Sequence, residues 1–164
     1  MSGVCYTEQK ETEIFMKKRG IFHAQLICEL TKMRHGDRIV ICDAGFPVPE
    51  GKTLVDVSLT AELPTVEQVF RAICNEILIE GLTFSEGLKV VRPAFYQTLK
   101  ERFTEHTIEE TSSPEFFERA YAQEAKLYVR TGDVRPCGNI MLTSASAVPR
   151  VFDKYNVEFD DVIG

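Results

Sequence analysis

The chain has 164 residues, close to the usual size of one domain and enough to bury roughly two-thirds of its unfolded surface in a single core. Hydrophobic residues at 44% and charged residues at 27% are ordinary globular values, which exclude a disordered tail, a fibrous protein and a membrane protein. Nineteen Lys plus Arg against 25 Asp plus Glu leave a net charge of -6, the wrong sign for neutralising phosphates, so nucleic acid and acidic membranes are poor partners.

Residues 1–15 are polar with little periodicity and read as an N-terminal arm. They carry Glu8, Lys10, Glu11 and Glu13 where a signal peptide needs an apolar stretch, and nowhere does an apolar run approach the ~18 residues of a membrane span. A cytoplasmic location is expected. Five cysteines (Cys5, Cys28, Cys42, Cys74, Cys137), odd in number and without a C-x-x-C pair, read as reduced, mostly buried thiols.

From Ala24 to Arg34, Leu26, Ile27, Leu30 and Met33 recur at the spacing of an amphipathic helix that ends at His35-Gly36. Arg38 to Cys42 is a short β-branched run expected of a strand buried on both faces, and the chain turns hard after Asp43. Thr53 to Leu59 reads as a second strand. Pro64 suits the first turn of a helix with Val66, Val69, Phe70, Ile73 and Ile77 on one face. Between Ile77 and Phe84 a continuing helix and a strand are both open, with a strand near Leu78 to Leu82 favoured. Pro93 opens a helix through Phe95, Tyr96, Leu99 and Phe103, and Thr107 to Glu109 follows as an edge strand. Ser112-Ser113-Pro114-Glu115 matches a capping box before a helix through Phe116, Phe117 and Tyr121. Lys126 to Arg130 and Asn139 to Leu142 are the last strands, separated by a turn-rich segment.

This alternation predicts one α/β domain with a mainly parallel sheet covered by helices. Ligands of such sheets lie beyond the carboxyl ends of the strands, which points at Asp43 and the loop after it. Only three histidines, His23, His35 and His106, are available for acid-base work. On the residues alone, His35 also fits a helix-capping imidazole favoured by the macrodipole, and Asp43 fits ordinary turn chemistry before a proline. The intervening strand keeps the two apart within one chain. Nucleotide-loop, zinc-protease and nucleophile-elbow motifs are missing from the sequence, so spacing does not name a reaction.

The segment Met16 to Pro49, with His35-Gly36-Asp37 followed by Cys42-Asp43-Ala44-Gly45-x-Pro47-x-Pro49, resembles the D-ribose pyranase family, the sugar mutarotases that also include the fucose mutarotases. Two further blocks in the same order extend the resemblance over residues 16–143: Val55 to Thr60 with Pro64, and Val129 to Asp133 with Pro136 and Gly138 to Leu142. The resemblance implies a three-layer αβα sandwich that forms homo-oligomers, pentameric rings or a decamer. It implies sites at subunit contacts that bind a free monosaccharide and use neither a metal nor an organic cofactor. It implies interconversion of pyranose and furanose ribose, with His35 at the position of the catalytic histidine, Asp43 at that of a substrate-binding aspartate, and Cys137, Gly138 and Asn139 at the C-terminal substrate-binding triplet.

Two positions depart from the family. Cys137 stands where a tyrosine is common, and Ser113 aligns with a substrate-binding histidine, so a phenol and an imidazole are lost. The tail 144–164 exceeds the family's compact core and forms a C-terminal extension; its Val151, Phe152, Tyr155, Val157 and Phe159 suit packing on a neighbour or over the site. The expected mechanism has His35 protonate the ring oxygen, Asp43 hold sugar hydroxyls or orient His35, and Asn139 fix the rim, with a water or held hydroxyl as base. A fucose-type mutarotase and a non-catalytic sugar-binding protein are the alternatives.

Overall fold

The computed structural model describes residues 17 and 19–162; the expected arm 1–15 and Cys5 lie outside the described residues. Strand β1 (Arg38–Cys42) is the organising element, because its side chains are buried on both sides. Ile39 and Ile41 face one apolar cluster and Val40 and Cys42 face another, the alternation required of a strand inside a layered fold.

Five further strands complete the sheet: β2 (Thr53–Asp56), β3 (Ile79–Ser85), β4 (Thr107–Thr111), β5 (Ala125–Arg130) and β6 (Ile140–Ser144). Their order is β2-β5-β1-β6-β3-β4. β2 pairs with β5, β5 with β1 and β3 with β4 in parallel, whereas β6 runs antiparallel to both β1 and β3. The sheet is therefore mainly parallel with one reversed strand in its middle. That reversal brings the start of β6 to the same edge as the ends of β1 and β3.

Helices lie on both faces, unequally. α1 (Ala24–Lys32), α2 (Val66–Cys74), α3 (Leu88–Val91) and α4 (Pro93–Arg102) bury Leu26, Leu30, Val69, Phe70, Ile73, Leu88, Phe95 and Leu99 in the larger cluster. α5 (Ser113–Tyr121) covers the other face with Phe116 and Ala120 against Val40, Cys42 and Tyr128. Each start has a chemical cause. Thr65 and Gln68 form a reciprocal capping box on α2, Pro93 occupies the first turn of α4, and Ser112 accepts the Glu115 N–H on α5. The last helix, α6 (Pro149–Tyr155), buries none of its residues.

Several sequence expectations are corrected. α1 ends at Lys32 rather than at His35-Gly36, because Met33 turns extended; Arg34 to Asp37 then form a turn closed by the Arg34 N–H on Asp37 Oδ2 at 2.8 Å. His35 sits in that turn, so the macrodipole does not explain it. β2 stops at Asp56, whose carboxylate takes the Ser58 N–H, and Pro64 precedes the cap of α2 instead of entering its first turn. α3 and α6 were not foreseen. Among the described cysteines, Cys42 and Cys74 are buried but Cys28 is exposed. Burial pushes the Cys42 thiol up to about 12.

The tail returns to its own subunit. Phe159 lies near Phe70 and Phe103, Asn75 bonds its backbone on both sides at 2.7 and 2.8 Å, and the guanidiniums of Arg71 and Arg102 sit over its ring. Among the described residues no helix is long and apolar enough to cross a membrane.

Candidate functional site

Asp43 follows β1 directly, at the carboxyl end where an α/β sheet offers ligand space. Its carboxylate is aimed by two contacts: Oδ1 accepts the Gly45 N–H at 2.9 Å and Oδ2 accepts Asn139 Nδ2 at 2.8 Å. The Asp43 N–H in turn donates to Asn139 Oδ1 at 2.7 Å. Asn139 immediately precedes β6, so the antiparallel strand delivers it to the end of β1 across 96 residues of chain. The pair holds a carboxylate in one orientation while leaving it lone pairs for a ligand.

Around this pair is a cavity of about 200 Å³ lined by Asp43, Asn139, Ser85, Ser113, Cys137 and Pro136, with Phe116 and Phe117 as an aromatic wall. It is smaller than the roughly 300–1,000 Å³ of drug-sized pockets and combines an apolar wall with a few polar groups, the balance of a small-ligand site. Ser113, Phe116 and Phe117 come from the first turns of α5, which begins just after β4. Phe117 is held by stacking on Phe46, ring centroids 5.2 Å apart.

Cys137 adopts φ +58°, the left-handed region that residues other than glycine rarely occupy. It fits because the neighbouring position 87 is glycine: a Cβ there would stand 2.8 Å from Cys137 Cβ. Gly138 does not line the cavity. A Cβ on it would stand 2.9 Å from Arg92 Nε, so this glycine lets the site loop close on a buried guanidinium. Arg92 forms an ion pair with Asp133, which is fully buried and also accepts the Val66 and Arg135 N–H groups at 3.1 Å each. The loop carrying Cys137 to Asn139 is thereby anchored to α2 and to the start of α4.

His35 is elsewhere. It lies at the amino end of β1, largely exposed, with Nε2 3.0 Å from Glu80 Oε2 at the start of β3. The five residues of β1, at about 3.3 Å each, put on the order of 15 Å between the two ends. Asp43 thus does not orient His35 within a chain; the carboxylate beside the imidazole is Glu80. His23 caps α1 by accepting the Leu26 N–H at 3.2 Å, and His106 packs against Phe103 and Tyr155. No imidazole of the same chain lines the cavity.

Residues 16–147 match the RbsD / FucU transport protein family. The chain belongs to this family. Its relatives include a D-ribose pyranase of Geobacillus thermodenitrificans, 34% identical over 79% of this chain and 96% of the relative. A D-ribose pyranase of Kosmotoga olearia is 30% identical over 79% of this chain and 97% of the relative. Bacillus subtilis RbsD, solved in complex with D-ribose, aligns with a TM-score of 0.73 at 32% identity, covering 81% of this chain and 100% of that one. A fucose mutarotase of Streptococcus pneumoniae, solved with L-fucose, shares the fold at a TM-score of 0.61 and 22% identity over 76% of this chain and 94% of that one.

For this member of the RbsD / FucU family, the sequence reading missed two residues beside the expected ones. Glu80 and Ser85 are both in β3, where an acidic residue and a serine within an apolar run carry no distinguishing signal. Only the strand's position between β6 and β4 brings one to His35 and the other to the cavity.

Proposed function

We propose that the protein is a sugar mutarotase that interconverts pyranose and furanose forms of D-ribose or a related free monosaccharide. The observation that carries this is the cavity in which Asp43 and Asn139, locked to each other, face the aromatic wall of Phe116 and Phe117. Such a site suits a small polyhydroxylated ring, with hydroxyls on the amide and carboxylate and C–H groups on the aromatic face. Relatives named D-ribose pyranase at 34% and 30% identity, and the likeness to a ribose-bound protein at 32%, support the same reading.

Ring opening needs a proton to leave the anomeric hydroxyl and another to reach the ring oxygen, after which the aldehyde closes on a different hydroxyl. Asp43 and Asn139 bind the sugar's hydroxyls in this reading. His35 delivers the proton to the ring oxygen, contributing about 10²- to 10⁴-fold as a positioned acid. Because His35 lies at the far edge of its own sheet, it acts in the cavity of a neighbouring copy, and the working form is a closed homo-oligomer, a pentameric ring or a decamer. Glu80 fixes the imidazole. A bound water or a sugar hydroxyl held by the protein takes up the departing proton, and the protein works in the cytoplasm.

Magnetisation-transfer NMR on ribose at equilibrium tests this without needing net product. Wild-type protein is expected to accelerate pyranose-furanose exchange, and His35→Ala to abolish the acceleration while still binding sugar. Faster exchange of fucose but not ribose would reassign the substrate. Sugar binding with no acceleration of either would make the protein a binding module.

A further inference from the structure

Ser85, the last residue of β3, is 4% exposed, and its Oγ has no hydrogen-bond partner among the described residues. Buried hydroxyls nearly all have a hydrogen-bond partner, whether protein, ligand or water. The alternation of β3 explains where this one points. Leu82 and Phe84 enter the large core, so Ser85 turns to the α5 face, where it lines the cavity with Asp43, Asn139 and Cys137. The adjacent backbone is kept out of the way, since Gly87 has no Cβ to stand 3.4 Å from Ser85 Oγ.

We propose that Ser85 is a sugar-contacting, specificity-determining residue whose hydroxyl pairs with one hydroxyl of the bound monosaccharide. This rests on the sugar-binding reading of the cavity and adds to it a contact that the family resemblance does not supply. A serine hydroxyl donates and accepts at once, as a sugar hydroxyl does, so the two match without a charge or a proton transfer. Ser85 enters at the end of β3, beside the start of β6 that carries Asn139, whereas Asp43 comes from the end of β1 on the other side of β6. A ring gripped at the ends of three strands is fixed in rotation as well as position. Ser85 adds a neutral hydroxyl to the cavity it shares with Ser113 and Cys137. A site built to pair a particular hydroxyl also rejects analogues that lack it, because the protein group is then left unpaired.

The test compares wild type, Ser85→Ala and Ser85→Cys in the assembled full-length protein. Affinity is measured by calorimetry for ribose and its 2-deoxy, 3-deoxy and 5-deoxy analogues. Both variants should bind ribose about 2- to 12-fold more weakly, the range of one neutral hydrogen bond. One deoxy analogue, lacking the hydroxyl that Ser85 meets, should bind wild type and variants alike. The melting temperature of the sugar-free protein should not fall, since Ser85→Ala removes a hydroxyl that no described protein group pairs with. Equal ribose affinity in wild type and variants would overturn the assignment and leave the sugar site standing, with the hydroxyl served by water. Uniform weakening for every analogue together with a lowered melting temperature would also overturn it, as a packing effect. If wild type bound none of these sugars and no fucose either, the reading of the cavity itself would fall first.

Discussion

His35 and Asp43 belong to opposite edges of the sheet, and a site that needs both must take them from different copies of the chain. This can be tested by complementation between two inactive variants. His35→Ala subunits keep an intact cavity, and Asp43→Ala subunits keep an intact imidazole at the other edge. Each parent assembly should lose most of its exchange activity, about 10²-fold or more for the imidazole. In a ring refolded from an equal mixture, a site is complete when its cavity comes from a His35→Ala subunit and its imidazole from an Asp43→Ala neighbour. Random arrangement in a closed ring makes that true of about one site in four, so the mixture should recover about a quarter of wild-type activity. The distance sets the contrast: with on the order of 15 Å of β1 between the groups, one subunit does not bring both to one cavity. The assay is magnetisation transfer on ribose, with co-refolded wild type as the measure of full recovery. A mixture no more active than its parents, when refolded wild type regains activity, would refute the two-subunit site.

Other expectations concern the scaffold and the cavity wall. Asp133→Ala strands the buried Arg92 guanidinium and frees the Val66 N–H, so it should cost about 3–5 kcal/mol, read as a lowered urea midpoint with unchanged slope. Burial lowers the pKa of His106 below its ordinary 6.5, so the unfolded chain binds this proton more tightly. Stability should therefore fall as pH drops through about 6.5 and level off below the folded-state value, and His106→Phe should remove that part of the slope when unfolding is compared at about pH 7.5 and 5. Cys137→Tyr adds a phenol at a position whose left-handed φ of 58° already carries a side chain, so backbone strain is unchanged. Ribose turnover should rise; no change would mean that the departure at this position does not limit the reaction.

Much of the architecture was legible because it is written in local chemistry. The β-branched run from Arg38 to Cys42 is a strand with the expected bounds, since four consecutive buried side chains, Ile39 to Cys42, fit no exposed element. Ser112 and Pro93 marked the starts of α5 and α4 for the reasons that caps and first-turn prolines always do. α3 has only four residues, too few to show a helical period, and α6 buries none of its residues, so neither stands out in the sequence. The end of α1 was misplaced because Gly36 is a good helix stop, yet its positive φ belongs to the turn that follows, where its N–H donates to Ser144 O at 2.9 Å.

The positions of Asp43, Ser113, Cys137 and Asn139 were readable through the ordered motifs around them, but their meeting was not. Asp43 and Asn139 come together because β6 enters the sheet antiparallel between β1 and β3, a choice of neighbour and direction made by side-chain packing across the whole sheet. The same insertion sends His35 and Glu80 to the other edge and leaves the Ser85 hydroxyl in the cavity. Local sequence determined most of the segments that became strands and helices, since propensity, capping and turn formation act over a few residues. Only the tertiary structure decided which groups share a cavity and which lie at the other end of the strands, because strand order and direction depend on contacts between residues nearly a hundred positions apart.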